Sequence, residues 1–389
     1  MSHFTVLVVG DDTEAKLQPY HEFECTGTDD QYIQNINRTE ELRKEYCEKK
    51  RTMNVWPDGK LYNTYDEIFY RDPTSEEQEK LGMGSGVAQW IFYSSRNWND
   101  GKWYRAKVQY MPEWFEQKEF PVSELETFRD FVADEVSGEV IVGNASPDLL
   151  DKHKYGWLRV DEKWEVIEVI SRTNPNSKWD WYEVGGRWAG QFILKEGAKG
   201  KKGEQSWFAT LKGIEYPKGR VDQACKGDID FEAMKAEKIK EWIKRYDMFE
   251  KIFWKDFQKL DHTWKSLWKE EYENMEHSKR QELYFSQTPL VKLAELRKSE
   301  SLSKEEKDFI GWGFEYEEYM IGRDAYIADI EANFFGTFAV LMNGNWYEKG
   351  EMGWFACVSD ENPDWKNEFS KLLESIPDDA LLTVVDCHI

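Results

Sequence analysis

The chain has 389 residues and a formal charge of −23, with 75 Asp and Glu against 52 Lys and Arg. That balance argues against general binding to DNA or RNA, whose affinity comes from cations set against phosphates. With 22 Phe, 19 Tyr and 19 Trp, the chain has ample side-chain volume for a core, and its length calls for two or three lobes rather than one or a disordered polymer.

Phe4 to Val9 reads as a buried strand ended by Gly10, Asp11 and Asp12. The opening MSHFTVLVVGDD has no positive flank or cleavage site, and no run of eighteen apolar residues follows anywhere, so neither export nor a membrane is expected. Five scattered cysteines without a CxxC indicate neither a disulfide framework nor a zinc cage, and they fit a reducing cytoplasm. In Tyr20-His21-Glu22-Phe23-Glu24-Cys25, His21 lies beside carboxylates and would titrate near neutrality, although the spacing is not HExxH.

Thr39 to Lys50 reads as a charged helix, Tyr62 to Tyr70 as a strand or short helix, and Asp72-Pro73-Thr74 as a helix start. The loop Gly82-Met83-Gly84-Ser85-Gly86 has neither phosphate-loop spacing and reads as a flexible connection. Strands are expected at Val87 to Ser94 and Lys102 to Tyr110 around the turn Asn99-Asp100-Gly101. A helix from Ser123 to Val136 would be capped by Ser123 with Glu126, and short strands would follow at Val140 to Val142, Gly156 to Val160 and Val166 to Ile170.

The segment Asn174 to Gly190, NPNSKWDWYEVGGRWAG, concentrates aromatic and polar groups. Lys178 to Val184, the pair Gly185-Gly186 and Arg187 to Leu194 spell a β-hairpin on a type I′ turn. Alternation would then place Trp179, Trp181, Glu183, Trp188 and Phe192 on a core face, and Asp180, Tyr182, Arg187 and Gln191 on a polar one. The plain reading is a hydrophobic layer with a wet reverse. The sharper reading is a ligand site in which Arg187 forks onto a phosphate or carboxylate, Asp180, Tyr182 and Gln191 line the floor, and Gly185 and Gly186 allow close approach.

Beyond it, Gly197 to Gly203 reads as a mobile basic tip without regular structure. From Phe231 the period changes to helical, with a break at Pro289 and a capping box at Ser303 and Glu306, until about Glu331. Strands return at Phe335 to Leu341 and Trp346 to Tyr347 about Asn343-Gly344-Asn345, then Trp354 to Val358, a helix from Asp364 to Ser375 and a closing strand Leu381 to Val385. The fold class is therefore α+β: a mainly antiparallel central sheet holding both termini, with a large helical insertion. The expected lobes are 1–230, a helical 231–333, and 334–389 completing the sheet.

HFTVLVVG, SKWDWYEVGGRW, KGDIDF, YEKGEMGWF and LLTVVDCHI together resemble a group of uncharacterised proteins of bacteriophages and some bacteria. The resemblance implies no catalytic residue. It implies a phage setting, in a host cytoplasm, and with it host takeover or counter-defence.

Two further clusters bear on chemistry. Asp386 and His388 share a face of the closing strand, with Cys387 opposite and His3 on the expected neighbour, a histidine and carboxylate set suited to a metal but placed at chain ends that usually fray. Asp228, Asp230, Glu348 and Glu351 would hold Mg²⁺ if they converge, though Asp230 also suits a helix cap. Two functional classes follow. One is an acidic accessory protein that binds a host protein, and the other is a nucleotide- or phosphate-handling enzyme, or a nucleotide-sequestering protein, built on Arg187 and convergent carboxylates.

Overall fold

The computed structural model describes residues 2–63, 66–72, 74, 91–96, 103–109, 116–133, 139–150, 152–253, 258–269, 272–273, 275–311, 313–353 and 357–389. The glycine loop 82–86, the turn 99–101, Pro73 and part of the strand expected at 354–358 lie outside the described residues. The chain forms two compact units, residues 1–28 with 176–389 and residues 29–175. The first holds both the expected helical stretch 231–333 and the strands of the central sheet.

The unit 29–175 is built on the four-stranded sheet Gln34–Asn37, Val166–Thr173, Gly156–Val160 and Val140–Val142. The helix Thr39–Glu48 buries Leu42 in the same cluster as Val132, Leu158, Val160, Val166 and Val169. A three-stranded sheet pairs Lys50–Val55 with Leu61–Tyr62 and Glu116–Pro121. The helix expected from Ser123 is two short ones, Val122–Leu125 and Phe128–Val132. Glu126 sits extended between them, and the cap of the second is Thr127, whose side chain accepts from the Asp130 amide.

The other unit carries the eight-stranded sheet of β1 (His3–Val9), β2 (Trp181–Gly186), β3 (Gly200–Lys201), β4 (Glu204–Gln205), β5 (Gln223–Cys225), β6 (Ala339–Met342), β7 (Asn345–Glu348) and β8 (Leu381–His388). Its order is β3-β5-β8-β1-β6-β7, and β2 pairs with both β8 and β4. Five of the seven pairings are antiparallel, β1–β6 and β2–β4 being the parallel ones. Both termini thus lie in one mainly antiparallel sheet.

Period two in β8 sorts its two faces: Leu382 and Val384 enter one core with Leu7, Val340, Trp365 and Phe369, while Val385 and Cys387 enter the other with Phe4, Val6, Val8 and Trp179. The described ends stay paired. Ser2 and Ile389 exchange backbone hydrogen bonds of 3.2 and 3.1 Å, because β1 and β8 stay in register to the last residue. Between β6 and β7, Asn343 (φ 54°) and Gly344 (φ 75°) make the turn expected at Asn343-Gly344-Asn345, with Asn345 already paired in β7.

The glycine pair at 185–186 does not turn a hairpin. Both residues have positive φ, yet β2 runs antiparallel to β8, while Phe192–Ile193 pairs with Arg220–Val221. The turn signal was real in its φ values and wrong in its partner, since the closing strand competes successfully for the edge. Face assignment changes with it: Trp179 is 6% exposed, whereas Trp181 is 43% exposed. The basic tip also departs from expectation, because Gly200 and Lys201 pair with β5. Among the described residues of 231–333 the regular elements are helical, and Tyr246, Phe249, Phe253, Tyr316, Tyr319 and Tyr326 give them an aromatic core of their own.

Candidate functional site at the chain ends

Strand pairing assembles the site. β2 and β1 flank β8 so that Trp181 and His3 both lie opposite His388, and Glu183 and Thr5 both lie opposite Asp386. All four of these neighbours share one face with Asp386 and His388, and that face is apolar at Leu382 and Val384 and polar at the chain ends.

Each histidine is held by a carboxylate through Nδ1. His3 Nδ1 lies 2.8 Å from Asp386 Oδ1, and His388 Nδ1 lies 2.7 and 2.8 Å from the two oxygens of Asp180. The imidazole rings meet edge to face at 4.9 Å, and the Trp181 indole stacks on His388 at 5.4 Å with 17° between planes. When Nδ1 donates to a carboxylate, the neutral ring presents its lone pair at Nε2. His388 Nε2 is buried and has no hydrogen-bond partner among the described residues. Leaving such a group unsatisfied costs about 1–3 kcal/mol, so it calls for a reason.

Carboxylates surround this pair. Burial, then the facing Asp386 and then Glu204, push the Glu183 carboxyl above its ordinary value. Glu22 is raised by burial and also feels Glu24 and Asp180, and the Cys25 thiol, bonded to Glu22, is raised by burial and then by that carboxylate. Ligand atoms of Glu22, Cys25 and Asp180 lie within 4.8 Å of one another, the one such trio of potential metal ligands among the described residues. Cys387, on the opposite face, is wholly buried and its thiol stands well above the ordinary range, so it is packing rather than chemistry.

The Gly185-Gly186 pair serves this arrangement by making room for acids rather than for a ligand. A Cβ on Gly186 would lie 2.4 Å from Asp386 Oδ2, and one on Gly185 2.6 Å from Asp222 Oδ2. Asp386 Oδ2 also accepts the Arg187 amide at 2.8 Å, so Arg187, itself exposed, is anchored to the carboxylate that orients His3. Buried Asp222 accepts the amides of Gly190 (2.6 Å), Gln191 (3.3 Å) and Gly203 (3.0 Å) and the Tyr216 hydroxyl.

Of the residues proposed from the hairpin, Asp180 and Arg187 therefore belong to the chain-end site, joined to it through His388 and Asp386. Tyr182 turns to the other face, where it meets Trp179 at 5.1 Å, and Gln191 contributes its amide to Asp222. Two of the four carboxylates proposed for Mg²⁺ are engaged elsewhere: Asp230 caps the helix Phe231–Phe253 through the Ala233 amide, and Glu348 pairs with Lys178 at 2.7 Å, while Asp228 offers its backbone carbonyl to the Lys195 amide and Glu351 is exposed in a short strand. No three of them meet. His21 is buried and its Nδ1 lies 2.8 Å from the Thr26 hydroxyl oxygen.

Sequence reasoning saw His3, Asp386 and His388 together through strand alternation but missed Asp180 as their fourth member, because a hairpin reading turned it toward Gln191. Glu22, Cys25 and Asp222 carried no spacing signal. No helix among the described residues is long and apolar enough to cross a membrane. The chain matches no protein family, curated protein or solved structure.

Proposed function

We propose that this chain is an enzyme that acts on a nucleotide accompanied by a divalent cation, using His3 and His388 as its acid–base pair. The observation that carries the reading is His388: its Nδ1 is fixed by Asp180, its ring is covered by Trp181, and its buried Nε2 is left without a partner. Two imidazoles oriented by carboxylates supply one group to take a proton and one to give it, as hydrolysis or phosphoryl transfer requires. The part-exposed indole of Trp181 offers a surface for a base, and Arg187 offers a charge for phosphate.

Glu22, Asp180, Glu183 and Asp386 make the surroundings acidic, which repels a bare phosphate dianion. A Mg²⁺-paired nucleotide meets that field with compensated charge. This reading keeps the nucleotide and phosphate chemistry expected from the sequence and moves its centre from the Asp228 to Glu351 carboxylates to the chain ends. The test is a nucleotide panel incubated with and without Mg²⁺, with products separated by chromatography. Turnover should fall about 10²- to 10⁴-fold in His388→Gln and in His3→Gln, and Asp228→Ala should retain it. Unchanged turnover in both histidine variants, or none in the parent protein, overturns the reading.

A second reading, action in a phage-infected host by docking on a host protein, is favoured by a different observation. The short helix Trp207–Leu211 and the turn after it leave Trp207, Phe208, Leu211 and Ile214 exposed at 69, 62, 63 and 55%. Clusters of large exposed apolar side chains mark interaction surfaces. Capture from a host lysate by the parent protein and by Trp207→Ser/Phe208→Ser separates this reading from the first, since those changes leave the histidines untouched.

A further inference from the structure

We infer that the helical part of the chain carries a pocket for an organic cation of the alkylammonium class. Its cavity of about 340 Å³ is lined by Trp264, Gln281, Tyr284, Phe285, Glu315 and Glu317, which lies within the ordinary range for small-molecule sites of about 300–1,000 Å³. Three aromatic rings and two carboxylates form most of the described wall, and none of the described lining residues is basic.

The sequence builds this wall from three places. Trp264 precedes the 3₁₀ turn Lys265–Trp268, Tyr284 and Phe285 end the helix His277–Phe285, and Glu315 and Glu317 straddle the start of the turn Tyr316–Ile321. Trp264 and Tyr284 meet at 5.4 Å with 68° between planes, and Tyr284 and Phe285 at 5.1 Å with 78°. Rings set at steep angles present both faces and edges to the space between them, and the faces carry the negative lobe of the aromatic quadrupole, which attracts cations.

The carboxylates make the choice of charge unambiguous. Glu317 is pinned: its Oε1 accepts the Trp264 amide at 2.7 Å, and it accepts the Tyr284 hydroxyl, whose pKa is raised by burial first and then by that carboxylate. Glu315 is exposed and can approach a bound charge. An anion would meet two like charges here. A hydrated inorganic cation would meet indole and phenyl faces that cannot replace its water, whereas an alkylammonium group is apolar in its substituents and cationic at its centre, matching both parts of the lining.

The inference does not depend on the chain-end site. Its ligand could be free or could be an alkylated lysine of a partner, and the experiment separates them. Choline, a trimethyllysine peptide and the uncharged isostere 3,3-dimethylbutan-1-ol are titrated into the full chain by calorimetry, with Glu315→Gln and Phe285→Ala beside it. Both positions are exposed, so melting temperature checks that the variants fold. We expect at least one cation to saturate, the isostere to bind at least about fivefold more weakly, and each variant to weaken the cation by a similar factor. Saturation by the peptide alone assigns the pocket to a protein partner and supports the cation chemistry. Equal binding of the isostere, failure of both cations to saturate, or indifference to both variants overturns the inference.

Discussion

Two buried aspartates lie against the same pair of glycines, and they do opposite things. Asp222, beside Gly185, spends its oxygens on three backbone amides and a tyrosine hydroxyl. Asp386, beside Gly186, gives one oxygen to the Arg187 amide and the other to His3. The first acid closes its own account of hydrogen bonds and holds loops in place. The second passes its charge to an imidazole, and with Asp180 and His388 it forms the part of the sheet where a buried polar atom remains unsatisfied. Burial alone does not distinguish the two, since both are about 1% exposed or less; the identity of the donor does.

The largest effect that sharpens this contrast is Asp222→Ala. It leaves several amides and the Tyr216 hydroxyl without an acceptor, and the expected loss of stability is upward of about 4 kcal/mol, read as a fall in melting temperature. A small loss would mean that water satisfies those donors and that Asp222 is no keystone.

Next come the tryptophans on either side of Asp180. Trp179 is buried and donates its Nε1 to the Leu17 carbonyl at 3.0 Å, so Trp179→Ala is expected to cost about 3–5 kcal/mol. Trp181→Ala should cost no more than about 1–2 kcal/mol, because much of its ring is already in water, while turnover or nucleotide binding is lost. Equal destabilisation by the two would restore Trp181 to the core.

Gly186→Ala tests the reason for the glycine pair. At φ 54° with a Cβ 2.4 Å from Asp386, it is expected to cost about 2–4 kcal/mol and to abolish activity through the displaced carboxylate. Asp180→Asn should do the reverse, leaving melting within about 1 kcal/mol of the parent while turnover falls about 10- to 100-fold by analogy with other groups that orient a reacting histidine.

The smallest effect belongs to a surface counterpart of Asp222. Glu306 accepts the Ser303 amide and hydroxyl in a capping box and pairs with Lys251 at 2.9 Å, contacts that hold its carboxyl at about 2, below the ordinary 4.5. The sign follows: a depressed acid stabilises the folded chain above pH 4.5 and loses that contribution as pH falls toward 2. Helicity of the parent protein should therefore decline through that window more than that of Glu306→Gln, measured by circular dichroism.

What was legible in the sequence followed from local rules. Alternation in LLTVVDCHI placed Asp386 and His388 together, the Ser303 capping box and the Asn343-Gly344 turn formed where their chemistry demands, and the change of period near Asp230 began the helix Phe231–Phe253. What stayed hidden depended on partners distant in sequence. The glycine pair looked like a turn because positive φ is what a turn needs, and nothing local says that two aspartates 36 and 200 residues away will fill the space a Cβ would take. The tertiary partner also decided Asp180, whose histidine lies 208 residues on, and Glu22, which meets Asp180 only because the chain near His21 pairs with Trp179.

The account rests on His388 presenting Nε2 while Asp180 holds Nδ1, and long-range ¹H–¹⁵N NMR on histidine-labelled protein reports that directly. The prediction is a neutral ring protonated at Nδ1, with an Nε2 resonance that moves when a Mg²⁺-paired nucleotide is added and an assignment that disappears in His388→Gln. A ring protonated at Nε2 and indifferent to every nucleotide in the panel would contradict the account and leave the chain-end histidines as structure.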